Sequence, residues 1–138
     1  MTDSASREVL ARSECVRLLA RADVGRVGLS IGAQPVILPV NYALDGARVI
    51  FSTGDGSKLD AAINGALVCF EVDRIEEQWR SGWSVLVTGV AKELVGADAE
   101  DAATALRPPW SLGAGSHVVA IPLDVVTGRR IGPVLLDR

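Results

Sequence analysis

The chain has 138 residues, 49% of them apolar and 22% charged, which is enough for one domain with its own core and excludes a disordered chain. Its net charge of −3 and pI near 5.1 argue against a nucleic-acid-binding protein, because such a protein needs a basic face. A mean hydropathy of +0.29 is high for a lone domain and favours apolar surface covered by a second subunit or a ligand.

The two cysteines and the single histidine limit the metal and redox chemistry. Cys15 and Cys69 lie far apart and His117 is the only histidine, which argues against a disulfide framework and a Cys/His zinc cluster of the usual spacing. Both cysteines are predicted to be small core residues. Residues 1–7 are polar, and the uncharged stretch 28–44 is broken by proline and glycine, so we expect a cytoplasmic protein without a membrane span.

The chain is predicted to be one domain over residues 1–138 that begins with a helix over residues 6–22. Apolar residues recur there at helical spacing, and Ser13 is the expected N-cap of the part in which this spacing is clearest. Residues 1–12 are expected to be a loosely ordered or helical arm.

Alternating or β-branched apolar segments predict seven strands in the rest of the chain. They lie at residues 24–31, 36–43, 47–53, 66–73, 83–94, 118–123 and 125–131. Asp45-Gly46 is a hairpin signal, residues 74–82 form a polar connection, and short helices are predicted over 57–64 and, capped by Asp98, over 98–106. The pattern predicts a mainly β fold, a small closed barrel that leaves no sheet edge exposed.

The turn after the strand that ends at Thr53 carries the strongest chemical signal. Ser57 and Lys58 follow Gly54-Asp55-Gly56 at a helix start, where backbone N–H groups, the helix dipole and an ammonium can hold an anion. A lysine in a first turn opposes the dipole, and a bound anion would resolve that conflict. The alternative is an ordinary polar turn with a solvated lysine.

Other chemistries lack their residues. The chain has no G-x-S-x-G elbow, one histidine only, no cluster of metal ligands in sequence and no G-x-G-x-x-G that opens a βαβ unit. The site must therefore be built from scattered residues or from a bound cofactor.

Six motifs occur in a characteristic order. They are Val24-Gly25-Arg26-Val27-Gly28, Leu38-Pro39-Val40-Asn41-Tyr42, Phe51-Ser52-Thr53-Gly54 with Gly56-Ser57-Lys58, Val68-Cys69-Phe70-Glu71-Val72-Asp73, the segment 82–91, and Thr127-Gly128-Arg129-Arg130-Ile131. This order resembles the pyridoxamine 5′-phosphate oxidase-like family of FMN-binding split β-barrels, in particular small actinobacterial-type members, over residues 13–131. The resemblance implies an antiparallel, Greek-key-like barrel and an obligate homodimer with two FMN sites at the subunit interface.

The resemblance also implies how the phosphate is held. Lys58 would be the point charge on the phosphate, Ser57 a hydroxyl donor and Thr53 a further donor. Trp83 and Ser84 would contribute to the phosphate and ribityl side from the partner subunit. For Trp83 the alternative is an aromatic of the dimer core.

The flavin ring would lie along Pro39-Val40-Asn41-Tyr42. Backbone groups of that strand can bond the N3/O4 edge of the ring, and Val40 and Tyr42 would supply flat apolar contact or belong to the barrel core. Glu71 could accept from the ring, but an ion pair with Arg26 is the preferred interpretation.

Two further residues are candidates for the substrate face. Trp110, followed by a glycine-rich loop, is a candidate lid or a plug that closes the barrel. His117 is either a donor to a substrate or flavin oxygen or simply exposed to solvent.

The sequence departs from the family in ways that bear on activity. True pyridoxamine phosphate oxidases are longer and hold the substrate phosphate with C-terminal arginine and histidine residues, so that activity is not expected here. We expect a flavin-dependent oxidoreductase that acts on a small molecule through FMN. The alternatives are a reductase of the same fold that uses the deazaflavin coenzyme F(420), and a non-catalytic flavin-binding or interaction protein.

Overall fold

The computed structural model describes residues 7–54, 57–106 and 116–132, and these form nine strands and three helices. The strands are β1 Arg7–Val9, β2 Val24–Ile31, β3 Gln34–Asp45, β4 Arg48–Thr53, β5 Leu67–Glu76, β6 Ser81–Val90, β7 Lys92–Glu93, β8 His117–Pro122 and β9 Val125–Ile131. The helices are α1 Arg12–Leu19, α2 Lys58–Ile63 and α3 Gly96–Ala103. None of the helices among these described residues has the length and apolar character needed to span a membrane.

All strands join one antiparallel sheet in the order β1-β9-β6-β5-β2-β3-β4-β8-β7. The predicted mainly β class is confirmed, and the architecture is that of a split β-barrel. The expected full closure is wrong for the described strands, because no pairing joins β1 to β7. These two end strands have only three and two residues, which limits the exposed edge.

Strand β3 is the point at which the sheet divides. Its residues 34–41 pair with β2, whereas only Tyr42–Asp45 pair with β4. Strand β4 pairs with β8 along its whole length, so its last residues, Ser52 and Thr53, diverge from β3. A gap therefore opens between the first part of β3 and the end of β4.

The main core lies between the inner face of the sheet and α1. Alternate residues of the strands point inward, as their period of two requires. Phe51, Phe70, Leu18 and Leu19 are among its fully buried side chains. A second cluster covers the opposite face of β4 and β8, where Ala102 and Leu106 pack on Ile50, Val118 and Ala120.

The N-terminal part of the predicted first helix is wrong. Arg7–Val9 form β1 and pair with Arg129–Ile131, because the free edge of β9 offers backbone hydrogen bonds that override the local helical spacing. Helix α1 begins at Arg12 with Ala11 as N-cap and no side-chain cap, so Ser13 lies inside the helix.

Two element boundaries in the second half also differ from the prediction. The expected polar connection 74–82 is largely strand, since β5 continues to Glu76 and β6 begins at Ser81. Asp98 is not a cap, because α3 begins at Gly96 and the Asp98 carboxylate accepts from Arg48 at 2.7 Å.

The predicted long strand 83–94 and the predicted burial of both cysteines need correction as well. The strand breaks at Ala91, and Lys92–Glu93 pair with β8 instead.

Cys15 is buried as expected, but Cys69 is exposed because it points to the outer face of β5. Both thiols are free.

Candidate functional site

We call the region between the free edge of β3, residues 34–41, and the end of β4, Ser52 and Thr53, the β3–β4 cleft. The Ser57-Lys58 turn follows β4 in the chain. Among the described strands, residues 34–41 pair only with β2. One edge of this part of β3 therefore presents backbone groups to the cleft.

The parity of the strand identifies the backbone groups that face the cleft. The Tyr42 N–H donates to Asp23 O at 3.0 Å, so even-numbered residues of β3 direct their N–H groups toward β2. Odd-numbered residues then direct theirs away, and Pro35 and Pro39, which have no N–H, fall in this set. Asn41 consequently presents an N–H and a C=O to the cleft, and Pro39 a C=O.

The side chains of the predicted ring segment divide between the cleft and the core. Pro39 is exposed, and Val40 and Asn41 are half-buried. Tyr42 is 4% exposed, packs its ring edge-on against Phe70 at 4.9 Å between centroids and donates its hydroxyl to Leu19 O. Burial raises the pKa of Tyr42 far above its usual value. The structure thus gives Tyr42 a place in the core, and its contact with a ring stays a prediction.

The predicted anion turn follows the end of β4 and leads into α2. Ser57 is the N-cap of α2, and its Oγ accepts from the Asp60 N–H at 2.9 Å. Lys58 is exposed and forms no hydrogen bond or ion pair with another described residue. At Gly54 no atom of the described residues lies within 4 Å of the place of a Cβ. Asp55 and Gly56 lie outside the described residues.

Thr53 has a partner that the sequence did not indicate. The side chain is 3% exposed, and its Oγ1 donates to Asp60 Oδ1 at 2.9 Å. This bond fixes the carboxylate of Asp60 relative to β4. The role of Thr53 as a donor to a phosphate stays a prediction.

A cluster of three potential metal ligands lies beside Thr53. His117 Nδ1 is 2.6 Å from Glu93 Oε2, and His117 Nε2 is 3.7 Å from Asp60 Oδ2. One ligand atom from each of the three residues lies within 4.8 Å of the others. Sequence reasoning singled out His117 but missed Asp60 and Glu93, because the three residues come from β8, α2 and β7 and no local spacing connects them.

The other predicted site residues lie elsewhere. Trp83 and Ser84 are on β6, and the sheet order places β5 and β2 between that strand and β3. Trp83 is 8% exposed and points into the core, whereas Ser84 points to the outer face and is half-buried. Trp110 lies outside the described residues.

The predicted ion pair between Glu71 and Arg26 is confirmed. Arg26 Nη1 is 3.3 Å from Glu71 Oε1 and 3.5 Å from Asp73 Oδ2, so two carboxylates share one guanidinium. Partial burial, and then the adjacent Asp73, raise the pKa of Glu71 to about 7, while Arg26 opposes the shift.

A cavity of about 600 Å³ lies near the end of α1, apart from the anion turn. Its walls include Leu19, Asp23, Asn41, Tyr42 and Arg74, but neither Ser57 nor Lys58. Asn41 is thus the predicted cofactor residue that belongs to both the cavity wall and the β3–β4 cleft.

Comparison with known proteins gives consistent matches along most of the chain. The family model described as pyridoxamine 5′-phosphate oxidase matches residues 11–130. The uncharacterized protein Rv0080 of Mycobacterium tuberculosis is 42% identical in an alignment 135 residues long, with 91% of this chain and 88% of that protein covered.

Solved structures agree with this match. The FAD-binding protein from Mycobacterium smegmatis superposes with a TM-score of 0.74 at 32% identity and covers 90% of this chain and 97% of its own. The FAD-binding protein mll6688 from Mesorhizobium loti gives a TM-score of 0.73 at 25% identity, with 91% and 99% covered.

Proposed function

The chain belongs to the pyridoxamine 5′-phosphate oxidase family, and on this basis we propose that it binds a flavin nucleotide in the β3–β4 cleft and acts as an oxidoreductase on a small molecule. The observation that carries the proposal is the edge of β3 at residues 34–41, which pairs with no described strand other than β2, together with the Ser57-Lys58 turn that follows β4. The strand edge offers backbone hydrogen bonds for the ring of a flavin nucleotide, and the turn offers a positive charge for its phosphate.

The residues present fit the phosphate end of such a ligand. The Lys58 ammonium is exposed and has no described partner, so it can contact an anion without losing another ion pair. Ser57 Oγ accepts a hydrogen bond from the Asp60 N–H, which leaves the hydroxyl hydrogen free to donate.

The ring end would be held by backbone groups of β3. The N3/O4 edge of a flavin has one donor and one acceptor, and Pro39 C=O and Asn41 N–H face the cleft as their complements. A bound flavin supplies the hydride chemistry, and the chain binds it, orients it and keeps water from one side of its ring.

FMN is the cofactor that the family resemblance implies. Two similar proteins are named as FAD-binding, which supports a flavin without deciding between the two nucleotides. The deazaflavin coenzyme F(420) and a non-catalytic flavin-binding protein are the alternatives that the measurements below separate. The cytoplasmic location stays a prediction.

We further propose a homodimer formed through the outer face of the sheet. In register, the row Ile37, Gly28, Cys69, Thr88 and Val125 crosses five strands on this face. Ile37 is 74% and Val125 55% exposed, although both are apolar. Such a surface favours a protein partner.

The position of the cleft supports a site shared between the two copies. Pro39 and Asn41 lie on the same outer face as Ile37, so the cleft opens beside the proposed interface. Ser84 also points to this face, and a second copy docked there could bring its own Ser84 toward the cleft.

The test compares ligands with and without a phosphate. We expect FMN to bind with quenching of its fluorescence, and Lys58→Ala to weaken this binding at least about tenfold, because a charge-assisted hydrogen bond contributes about 1.5–3 kcal/mol. Riboflavin, which lacks the phosphate, should bind both proteins equally. Lys92→Ala removes the chain's other lysine and is the matched control.

The same titration separates the alternatives. Recovery of affinity in Lys58→Arg would support a charge contact, and parallel titrations with FAD and coenzyme F(420) identify the preferred cofactor. A colourless protein that binds none of the three would contradict the proposal. Equal losses for FMN and riboflavin in Lys58→Ala would contradict the assignment of the phosphate to this turn.

A further inference from the structure

We propose that Asp60, Glu93 and His117 form a binding site for a divalent transition-metal ion. The site has one imidazole and two carboxylates, and it adjoins the anion turn, because Asp60 is hydrogen-bonded to both Thr53 and Ser57. Each side chain is only partly exposed, Asp60 to 15% and the other two to 30%.

The distances are close to those that an ion requires. Nitrogen and oxygen ligands at the usual 2.0–2.2 Å from Zn²⁺ are separated from one another by roughly 3–3.5 Å. One ion can bind only one of the two ring nitrogens, and the two short contacts use different ones, 2.6 Å from Nδ1 to Glu93 Oε2 and 3.7 Å from Nε2 to Asp60 Oδ2. With one ligand atom taken from each residue, the three atoms lie within 4.8 Å of one another, so side-chain rotations that draw them together would form a coordination shell.

Groups outside the cluster already hold the ligands in place. Thr53 Oγ1 donates to Asp60 Oδ1, and Asp60 Oδ2 lies 3.7 Å from His117 Nε2. The Glu93 N–H donates to Asn64 Oδ1 at 2.8 Å, and this bond fixes β7 against the end of α2. Second partners of this kind orient the ligands in metal sites and reduce the cost of ordering them on binding.

The histidine is positioned by the sheet itself. His117 pairs with Thr53 in the β4–β8 register, so the residue that holds Asp60 is also the backbone neighbour of His117. Strand pairing of β8 with β4 and β7, together with the Thr53–Asp60 and Glu93–Asn64 hydrogen bonds, thus holds the three elements together without an ion.

The donor set indicates the class of ion. An imidazole favours Zn²⁺, Fe²⁺ and Ni²⁺ over Mg²⁺ and Ca²⁺, and two carboxylates are compatible with Zn²⁺ and Mn²⁺. Three protein ligands leave at least one coordination position for water or another molecule, as in catalytic zinc sites. Zn²⁺ is therefore the ion to test first.

The experiment titrates Zn²⁺ into the tag-free, flavin-free chain by calorimetry at neutral pH. We expect one ion per chain, and binding at least tenfold weaker in His117→Ala and in Glu93→Gln. Glu100→Gln, which changes an exposed carboxylate on α3 outside the cluster, should bind as the wild type does.

The only histidine of the chain gives a direct second readout. The ring ¹⁵N resonances of His117 should shift when one equivalent of Zn²⁺ is added, and they show which nitrogen coordinates. If circular dichroism shows that His117→Ala does not fold, Glu93→Gln and Asp60→Asn are used instead, because both substitutions keep the shape of the side chain.

Absence of Zn²⁺ uptake by the wild type, or uptake that is unchanged in these variants, would overturn the proposal. The flavin titration is carried out without added metal. Failure of one proposal is therefore distinguishable from failure of the other.

Discussion

Glu71 shows how its neighbours set the charge state of a single residue. Its carboxylate and that of Asp73 compete for one guanidinium, Arg26, on a half-buried part of the outer face. The second carboxylate and the partial burial together outweigh the guanidinium, and the pKa of Glu71 rises to about 7. The fold therefore holds a proton at Glu71 under mildly acidic conditions.

This proton makes stability depend on pH. In the unfolded chain Glu71 ionises near its ordinary pKa of 4.5, whereas in the folded chain its pKa is about 7. The folded state binds more protons between these values, so the contribution is fully present below pH 4.5 and is lost as the pH rises through about 7. We expect the free energy of unfolding, measured with urea, to fall across this window in the wild type and not in Glu71→Gln.

A second variant checks the cause of the shift. Asp73→Asn removes the competing carboxylate, so the pH-dependent loss should become smaller and move to lower pH. Because the Glu71 side chain is 32% exposed, solvent screening keeps the effect modest. Parallel curves for the wild type and Glu71→Gln would show that Glu71 does not carry the dependence.

At the scale of the elements, the contact between β2 and β5 depends on the absence of one side chain. A Cβ on Gly25 would lie 2.4 Å from Phe70 Cζ and 3.1 Å from Glu71 O. The Phe70 ring is fully buried and packs against Tyr42, so it has no free space into which to move.

We expect Gly25→Ala to destabilise the fold by about 1–3 kcal/mol, the usual cost of an overpacked core. Gly54→Ala is the control, since no atom of the described residues lies within 4 Å of a Cβ there, and its effect in urea denaturation should be near zero. Adding Phe70→Leu to Gly25→Ala should recover part of the loss. Two glycine variants of equal stability would contradict this account of the packing.

The elements that the sequence predicted well have strong local signals. The segments 24–31 and 125–131 match β2 and β9, because alternation with period two and flanking turn residues specify a strand locally. Residues 7–9 were mispredicted since their structure depends on the distant edge of β9. Local spacing carries no information about such a partner.

The same distinction applies to the candidate site. Ser57 and Lys58 are adjacent in sequence, so their turn was recognisable and Ser57 is indeed a helix N-cap. The cluster of Asp60, Glu93 and His117 was not recognisable, because three separated elements must fold before its atoms meet. The core position of Tyr42 was left open for a similar reason, since Phe70 and Leu19 are distant in the chain.

At the scale of the whole molecule, the outer face of the sheet exposes apolar side chains whose exposure a monomer does not explain. Leu67 on β5 and Val90 on β6 are opposite each other in register and are 69% and 45% exposed. They continue the apolar row that includes Cys69 and Thr88, because residues two apart in a strand share a face. A second copy on this face would cover the row and bury Glu71 further.

We therefore expect the wild type to have, by light scattering, twice the 14.5 kDa mass of one chain. Leu67→Glu places a charge in the proposed interface, where leaving it unpaired and desolvated is costly, and should shift the protein toward monomers. Val95→Glu is the matched control, because Val95 is 74% exposed but precedes α3, away from the outer face of β5 and β6. A monomeric wild type, or equal effects of the two variants, would show that this face does not bind a second copy of the chain. If the cleft is completed by the second copy, Leu67→Glu should also weaken FMN binding without touching Lys58.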